Sequence, residues 1–204
     1  MKSIEKIIYN KFKNKEDGIK RYNHSLGVYK EAKKLVEFYN FDIDLDKLKI
    51  ATLLHDYAKF ETLDTFKKII IDEGLEEIDL LKNQKLLHSI LGPYLIKKDL
   101  NVLDEEILNA VRFHTTGRAN MSLLEELVFL ADYIEENRKG QLFEELRKTA
   151  YTDFKKAIAL EFEYLIKKLI ILIYYNFHIF NYIIKYIINI NDNILSFFLG
   201  GKNT

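Results

Sequence analysis

The sequence predicts an all-helical protein, and three observations support this fold class. The 204 residues include only eight Gly and one Pro, which are few helix breakers for this length. Apolar residues recur at three- and four-residue steps, the spacing of one helical face, and no segment sustains the alternation of a half-buried strand. Because 48% of the residues are hydrophobic, a compact helical bundle with a real core is expected.

Helical periodicity predicts six helices in the first 114 residues. They cover residues 3–13, 21–39, a segment from a cap at Asp44 or Asp46 to His55, and residues 64–73, 84–98 and 104–114. Residues 115–120 read as a loop. Ser122 and Glu125 then form a capping-box pattern, which predicts a helix over residues 122–138.

The C-terminal part has a different composition. Residues 164–199 are rich in Ile, Tyr, Phe and Asn and have almost no acidic residues. We therefore expect one domain over residues 1–165 and an atypical, apolar helical tail over residues 166–204. Polar residues interrupt its most apolar segment, 169–188, so packing on the domain or a partner is favoured over a membrane anchor. His178 within it receives no role.

Charge and cysteine content restrict the function. Lys plus Arg equals Asp plus Glu, at 31 each, which argues against a broad surface that tracks duplex nucleic acid. Cysteine is absent, so any metal must be held by imidazole and carboxylate. The N-terminal residues carry charges of both signs and lack the apolar core of a signal peptide, so a cytoplasmic location is expected.

Four of the five histidines lie in apolar helical contexts, and His55 is followed directly by Asp56. A charged Asp after two Leu is costly to bury unless it is paired or binds a cation. A lone His24 or His88, or Asp132 on an amphipathic helix, would usually be an ordinary residue. The ordered set is more specific than any member, and such ligands suit Fe, Mn, Zn or Co without choosing among them.

The order His…His-Asp…Asp resembles the HD-domain phosphohydrolase superfamily. Four longer segments resemble the YqeK-type symmetrical bis(5′-nucleosyl)-tetraphosphatases of that superfamily: Arg21-Tyr-Asn-His-Ser-Leu-Gly-Val, Leu53-Leu-His-Asp-Tyr-Ala-Lys, Arg112-Phe-His-Thr-Thr-Gly-Arg and Phe129-Leu-Ala-Asp-Tyr-Ile-Glu-Glu-Asn-Arg. The resemblance covers roughly residues 5–165. Two departures stand out: Pro93, expected to start or kink a helix after His88, and the tail beyond about residue 166.

The resemblance implies a ligand set. It assigns His24, His55, Asp56 and Asp132 to a first metal, expected to be Fe, with Mn, Co, Zn or Mg as alternatives. It assigns His88 and His114, with Asp56 bridging, to a second metal or to the substrate phosphates. His88 or His114 is also the candidate acid that protonates the leaving group.

Several further residues near these positions are candidates for binding phosphate. Lys59 lies one turn after Asp56, and three arginines flank ligand positions: Arg21, Arg118 and Arg138. Lys59 is also counted among the catalytic candidates. Loop residues could contact phosphate oxygens: Thr115, Thr116 and Gly117. Tyr22, Tyr57 and Tyr133 lie beside ligand positions and could flank an adenine, although core packing is expected for at least two of them.

The resemblance implies a homodimeric hydrolase that cleaves diadenosine tetraphosphate into two ADP. A metal supplies an activated water and compensates charge on phosphoryl oxygens, which phosphoanhydride hydrolysis requires. Two alternatives stay open at this point. One is another nucleotide phosphohydrolase of the superfamily, acting on dNTPs, nucleoside monophosphates or guanosine tetraphosphate, and the other is a non-catalytic helical module that binds metal or nucleotide.

Overall fold

The computed structural model describes residues 3–75, 84–171 and residue 174. In this part of the chain every regular element is a helix, as predicted. The first eight are α1 (Ile4–Phe12), α2 (Gly18–Tyr39), α3 (Leu45–Leu54), α4 (Leu63–Asp72), α5 (Gln84–Leu100), α6 (Glu105–Phe113), α7 (Leu123–Ile134) and α8 (Gln141–Ala150). A ninth helix, α9, begins at residue 154.

The chain divides into two compact units, Met1–Glu161 and Phe162–Thr204. The first contains α1 to α8 and residues 154–161. In the second, residues 162–171 are helical and described, as is residue 174. Most of the predicted tail, including His178, therefore lies outside the described residues, and the border at residue 165 stays a prediction. No helix in the described ranges has the length and apolar character to cross a membrane.

Polar side chains begin several helices where the sequence predicted a start. The Oδ1 atom of Asp44 accepts hydrogen bonds from the amides of Asp46 and Lys47, so Asp44 is the cap of α3. Ser122 and Glu125 form the predicted capping box of α7. Each such cap contributes on the order of 1 kcal/mol to helix stability.

Several predicted helix boundaries differ from the structure. Helix α2 begins at Gly18 and not at residue 21. Helix α5 runs from Gln84 to Leu100 and contains Pro93, so the helix does not start at that residue. Helix α7 ends at Ile134 and not at residue 138, because Glu135 leaves the helical conformation at ψ 152°. The turn that follows carries Glu135 and Arg138 toward the histidine cluster described below.

Helix α7 lies at the centre of the first unit. Ten of its twelve residues are buried, and it packs against α2, α3, α6 and α8. Helix α6 in turn packs against α5 and α3. Burial of each large side chain in this core, such as Leu54, Leu108 or Phe129, stabilises the fold by roughly 1.5–3 kcal/mol. The packing brings polar side chains from five helices or helix ends to one place.

Candidate metal centre and active site

Six predicted ligand side chains meet in the interior of the first unit. Helix α2 supplies His24, α5 supplies His88 and α7 supplies Asp132. The other three follow helix ends: His55 caps the C-terminus of α3, Asp56 comes next, and His114 caps the C-terminus of α6. All six are at most 8% exposed. The structure therefore brings together every residue for which the sequence predicted a metal-binding role.

Asp56 is at the middle of this cluster. Its Oδ2 atom lies 3.2 Å from Nε2 of His55 and 3.9 Å from Nε2 of His24. Its Oδ1 atom lies 3.1 Å from Nε2 of His88 and 3.7 Å from Nε2 of His114. One carboxylate thus faces the same nitrogen atom of four imidazoles.

Asp132 faces the cluster from α7. Its Oδ1 atom lies 2.9 Å from Nε2 of His24. Three groups of side chains have ligand atoms within 4.8 Å of one another and could each hold a metal ion: His24, His55 and Asp56; His55, His114 and Asp132; and Asp56, His88 and His114. The overlap of these groups is consistent with one ion or with two.

Contacts behind the imidazoles fix which nitrogen faces the centre. Nδ1 of His55 donates to the carbonyl of Thr52 at 2.7 Å, and Nδ1 of His114 donates to the carbonyl of Val111 at 2.7 Å. Because a carbonyl only accepts, Nδ1 carries the hydrogen in both rings and the lone pair of Nε2 points toward the cluster. This arrangement is typical of histidines that bind metals.

Glu135 performs the same task for His24, a role that was not predicted from the sequence. Its Oε1 atom lies 3.2 Å from Nδ1 of His24, while Oε2 accepts hydrogen bonds from the amide and side chain of Asn137. The approach is close to α2: a Cβ at Gly27 would lie 2.7 Å from Oε2 of Glu135. The signal in the sequence was the spacing of Glu135, which lies three residues, about one helical turn, after Asp132.

Unsatisfied polar atoms test whether a metal fits this site. In the described part of the chain, three ligand atoms are buried and have no hydrogen-bond partner: Nε2 of His24, Nε2 of His55 and Oδ1 of Asp56. Burying such atoms without a partner is unfavourable, and a shared cation would satisfy all three. Imidazole nitrogen and carboxylate oxygen are ligands of divalent transition metals. The residues present therefore fit a metal ion.

Both carboxylates of the cluster stay ionised. Burial alone would raise the pKa of Asp56, but the surrounding imidazoles of His55, His114 and His88 hold it well below its usual range. Burial opposes ionisation of Asp132 as well, yet the contact with His24 holds its pKa well below the usual range. The centre thus contains two negative charges that a cation can neutralise.

The imidazoles differ in protonation. Burial lowers the pKa of His55, and burial lowers the pKa of His88 to about 4, against the opposing effect of Asp56. Both rings are therefore neutral at pH 7, the form that binds metals. The pKa of His24 is raised: burial would lower it, but Asp132 and Glu135 favour the charged ring.

Three of the four predicted phosphate-binding cations surround the centre. Nη1 of Arg21 lies 2.6 Å from Oδ2 of Asp56. Nζ of Lys59 lies 3.5 Å from Oδ1 of Asp56 and 3.1 Å from Nε2 of His88. Nη2 of Arg138 lies 2.7 Å from Oδ1 of Asp132. All three cations also line a cavity of about 1080 Å³ that opens beside His24.

The walls of this larger cavity combine positive charge with apolar surface. Its cations include two that the sequence analysis did not single out, Lys20 and Lys139, and its apolar residues are Ile19, Phe60 and Phe143. Three carboxylates also line it: Glu16, Asp17 and Glu135. Positive side chains with flat apolar neighbours suit a ligand with phosphates and a base.

The predicted phosphate loop makes other contacts. Nε and Nη2 of Arg118 donate to both carboxylate oxygens of Glu125, at 3.1 and 2.6 Å. Oγ1 of Thr115 lies 2.9 Å from Oγ of Ser89, and the hydroxyl of Thr116 donates to the carbonyl of Gly117. Among the described residues that line the larger cavity, none comes from this loop. Its phosphate-binding role stays a prediction.

Two of the three predicted tyrosines pack in the core. Tyr57 is 4% exposed, belongs to the hydrophobic core and donates a hydrogen bond to Asp99. Tyr22 packs against this core, and its ring lies edge-on to that of Tyr9. Tyr133 lies with its ring centroid 6.0 Å from that of Phe143, which lines the larger cavity. The expectation of core packing for at least two of these residues is confirmed.

Known proteins resemble this chain over most of the first unit. The HD domain family model matches residues 21–137. A symmetrical bis(5′-nucleosyl)-tetraphosphatase of Halalkalibacterium halodurans is 41% identical over 138 residues, which are 68% of this chain and 73% of that protein. The protein of the same name from Bacillus subtilis is 43% identical over 138 residues, again 68% and 73% of the two chains.

A solved structure has the same fold. It is the crystal structure of a protein from Clostridium acetobutylicum, described as a predicted HD superfamily hydrolase involved in NAD metabolism. The TM-score is 0.73 at 42% sequence identity, over 83% of this chain and 88% of that one. The fold, the cluster of histidines and the match of residues 21–137 agree with one another. The chain belongs to the HD domain family.

Proposed function

We propose that this protein is a metal-dependent hydrolase that cleaves diadenosine tetraphosphate symmetrically into two ADP. The observation that carries the proposal is the convergence of three unsatisfied buried ligand atoms, on His24, His55 and Asp56, beside a cavity lined by cations. The relatives in H. halodurans and B. subtilis are named for this reaction.

The metal fits the residues as follows. His24, His55, Asp56 and Asp132 are the proposed ligands of a first ion, and the positions of His88 and His114 around Oδ1 of Asp56 suit a second ion or substrate phosphate. When bound, the metal supplies an activated water and compensates charge on phosphoryl oxygens. Iron is proposed as the native metal on the resemblance to the YqeK-type tetraphosphatases, and the imidazole and carboxylate ligands are compatible with it.

The remaining chemistry belongs to side chains of this chain. Arg21, Lys59 and Arg138 neutralise the polyphosphate, each from a position in contact with a ligand carboxylate. Lys20 and Lys139 add positive charge on the wall of the larger cavity. Water adds to one of the two central phosphorus atoms, the bond to the oxygen that joins the two halves breaks, and ADP leaves.

The proton for the leaving group needs a donor with a suitable pKa. His88, whose pKa is about 4, is neutral at pH 7 and suits a ligand or a hydrogen-bond acceptor better than an acid. His114 presents the lone pair of Nε2 to the cluster, so it too suits a ligand or an acceptor. Lys59, whose Nζ lies 3.5 Å from Oδ1 of Asp56, is the candidate donor.

The proposal also includes the oligomeric state and the cellular location of the protein. A homodimer and a cytoplasmic location are predictions from the resemblance and from the N-terminal sequence. Sedimentation of the full chain would measure the first, and a molecular mass of one protomer would overturn it.

Product analysis tests the proposed reaction. Protein purified without oxygen is analysed for metal and incubated with diadenosine tetraphosphate, and the products are separated by chromatography. We expect ADP as the sole nucleotide product. Formation of ATP and AMP would contradict symmetrical cleavage. If dNTPs, nucleoside monophosphates or guanosine tetraphosphate were turned over faster than diadenosine tetraphosphate, the substrate would belong to another class of nucleotide.

A further inference from the structure

A second, smaller cavity adjoins the metal centre. It measures about 440 Å³, within the roughly 300–1,000 Å³ of typical ligand pockets. His88 lines it, whereas His24 lines the larger cavity. Lys59 lines both cavities. The centre is therefore reached from two cavities that share one cation.

The two oxygens of Asp56 face the histidines of the two cavities. Oδ2 lies 3.9 Å from Nε2 of His24, and Oδ1 lies 3.1 Å from Nε2 of His88. The ammonium of Lys59, 3.5 Å from Oδ1, is placed to contact phosphate that passes between the cavities. A molecule that spans both cavities would thus have its middle at the ligand atoms.

The walls of the smaller cavity suit a nucleoside phosphate. Leu63, Phe66 and Leu87 provide apolar surface from α4 and α5, and Lys85 and Lys59 provide positive charge. The one carboxylate among the described lining residues, Glu61, is paired with Lys11 at 2.7 Å. Because this pairing neutralises it, the lining has a net positive charge.

We propose that the smaller cavity binds the second nucleoside diphosphate half of the dinucleotide, while the larger cavity binds the first. This inference rests on the proposed function. Symmetrical cleavage requires the central phosphoanhydride at the metal, with an equal half leading away on each side. The two cavities that share Lys59 provide two such paths.

The number of ADP molecules bound per protomer measures directly how many halves of the dinucleotide the protein can hold. We call each of these two binding sites a half-site. Titration calorimetry of the metal-loaded full chain with ADP is expected to give two equivalents per protomer. Lys85→Glu, which reverses a charge in the smaller cavity, and Leu63→Trp, which fills it, are expected to give one. The matched control is Lys98→Glu, an exposed lysine of the same helix that lines neither cavity and should retain two.

Steady-state kinetics give an independent measure. Lys85→Glu and Leu63→Trp are expected to raise KM for diadenosine tetraphosphate about tenfold, and Lys98→Glu to leave it within twofold. Circular dichroism of each variant establishes that it is folded before it is compared. If Leu63→Trp does not fold, Lys85→Glu alone decides the outcome.

The failure of this inference differs from that of the proposed function. A wild-type protein that releases ADP from the dinucleotide, but binds one ADP per protomer, would overturn the second half-site. So would unchanged KM values in both variants, since the whole substrate would then occupy the larger cavity. A wild-type protein that forms no ADP would instead contradict the proposed function.

Discussion

Two buried carboxylates in the first unit have opposite surroundings. Asp56 is 2% exposed and faces four imidazoles and two cations, and its pKa lies well below the usual range. Glu161 is 0% exposed, and neither of its oxygens has a hydrogen-bond partner. Burial, with the charge of Asp132 as a smaller contribution, raises the pKa of Glu161 well above its usual range.

The comparison shows that burial alone does not make a carboxylate a ligand. Burial disfavours the charged form of both residues. Asp56 remains ionised because imidazole and cationic groups surround it, and Glu161 is driven toward the neutral acid because such groups are absent from its hydrogen-bonding contacts. The neighbours, and not the depth, determine the role of each residue.

Removing the charge of Asp56 should have the largest effect. Asp56→Asn takes away the carboxylate that all four imidazoles face, so metal binding should be lost and turnover should fall by about 10³-fold, equivalent to roughly 4 kcal/mol. Metal analysis and product chromatography measure both changes. Asp46→Asn, at an exposed position, is the matched control. Full metal content in Asp56→Asn would contradict the site assignment.

The carboxylate behind His24 should have the next largest effect. Glu135→Gln removes the charge that orients this imidazole through Nδ1, and metal affinity should fall roughly 10-fold or more. Competition with a chromogenic chelator measures the affinity without reference to activity. The control is Glu136→Gln, since the neighbouring carboxylate is exposed and pairs with Lys30. Equal affinities in the two variants would argue against an orienting role.

The arginines near the site should separate into two classes. Arg138→Ala removes a cation that lines the larger cavity, and KM for the dinucleotide should rise about fivefold, or roughly 1 kcal/mol. Arg118→Ala should leave KM within twofold and lower the melting temperature instead, because the buried carboxylate of Glu125 loses its cationic partner and keeps the amide of Ser122. A rise in KM for Arg118→Ala would instead support phosphate binding by the loop of residues 115–120.

Removing the charge of Glu161 should have the smallest effect. It should stabilise the fold, whereas removal of the charge of Asp56 should abolish metal binding. A carboxyl whose folded-state pKa is raised contributes stability that is fully present below its unfolded-state pKa and is lost as pH rises through the folded-state pKa. Glu161→Gln cannot ionise, so it should be more stable than wild type at pH 8 and equally stable near pH 4. Each 1 kcal/mol corresponds to a rise of about 2–4 °C in melting temperature.

Thermal unfolding at a series of pH values, followed by circular dichroism, tests this last prediction. Glu163→Gln is the control, because the side chain of Glu163 is 55% exposed and pairs with Lys167. A variant at position 161 that is less stable than wild type at pH 8 would show that Glu161 is ionised and stabilised by a partner.

The sequence predicted the helices from local patterns, whereas the set of metal ligands came from the resemblance to a known family. Apolar periodicity and caps such as Ser122 placed the elements, and the unusual Asp56 after two Leu identified a buried charge that needs a cation. These signals need no knowledge of which residues are neighbours in space. The resemblance to a known family then joined six scattered side chains into one set.

Residues whose role depends on tertiary contacts were harder to predict. Glu135 and Lys139 follow the end of α7, and their position depends on a helix that stops earlier than its periodicity suggests. Arg118 was predicted to bind phosphate from its sequence position, and this role stays a prediction, but its contact with the capping residue Glu125 was not foreseen. Charge alone does not reveal which partner a long side chain will take.

Anomalous diffraction from crystals of the metal-loaded protein tests the central claim most directly. We predict an ion within about 2.0–2.2 Å of Nε2 of His24, Nε2 of His55 and an oxygen of Asp56, with Asp132 also coordinated. Crystals of Asp56→Asn should lack that peak. An ion bound away from these atoms, or full occupancy at the site in Asp56→Asn, would contradict the account.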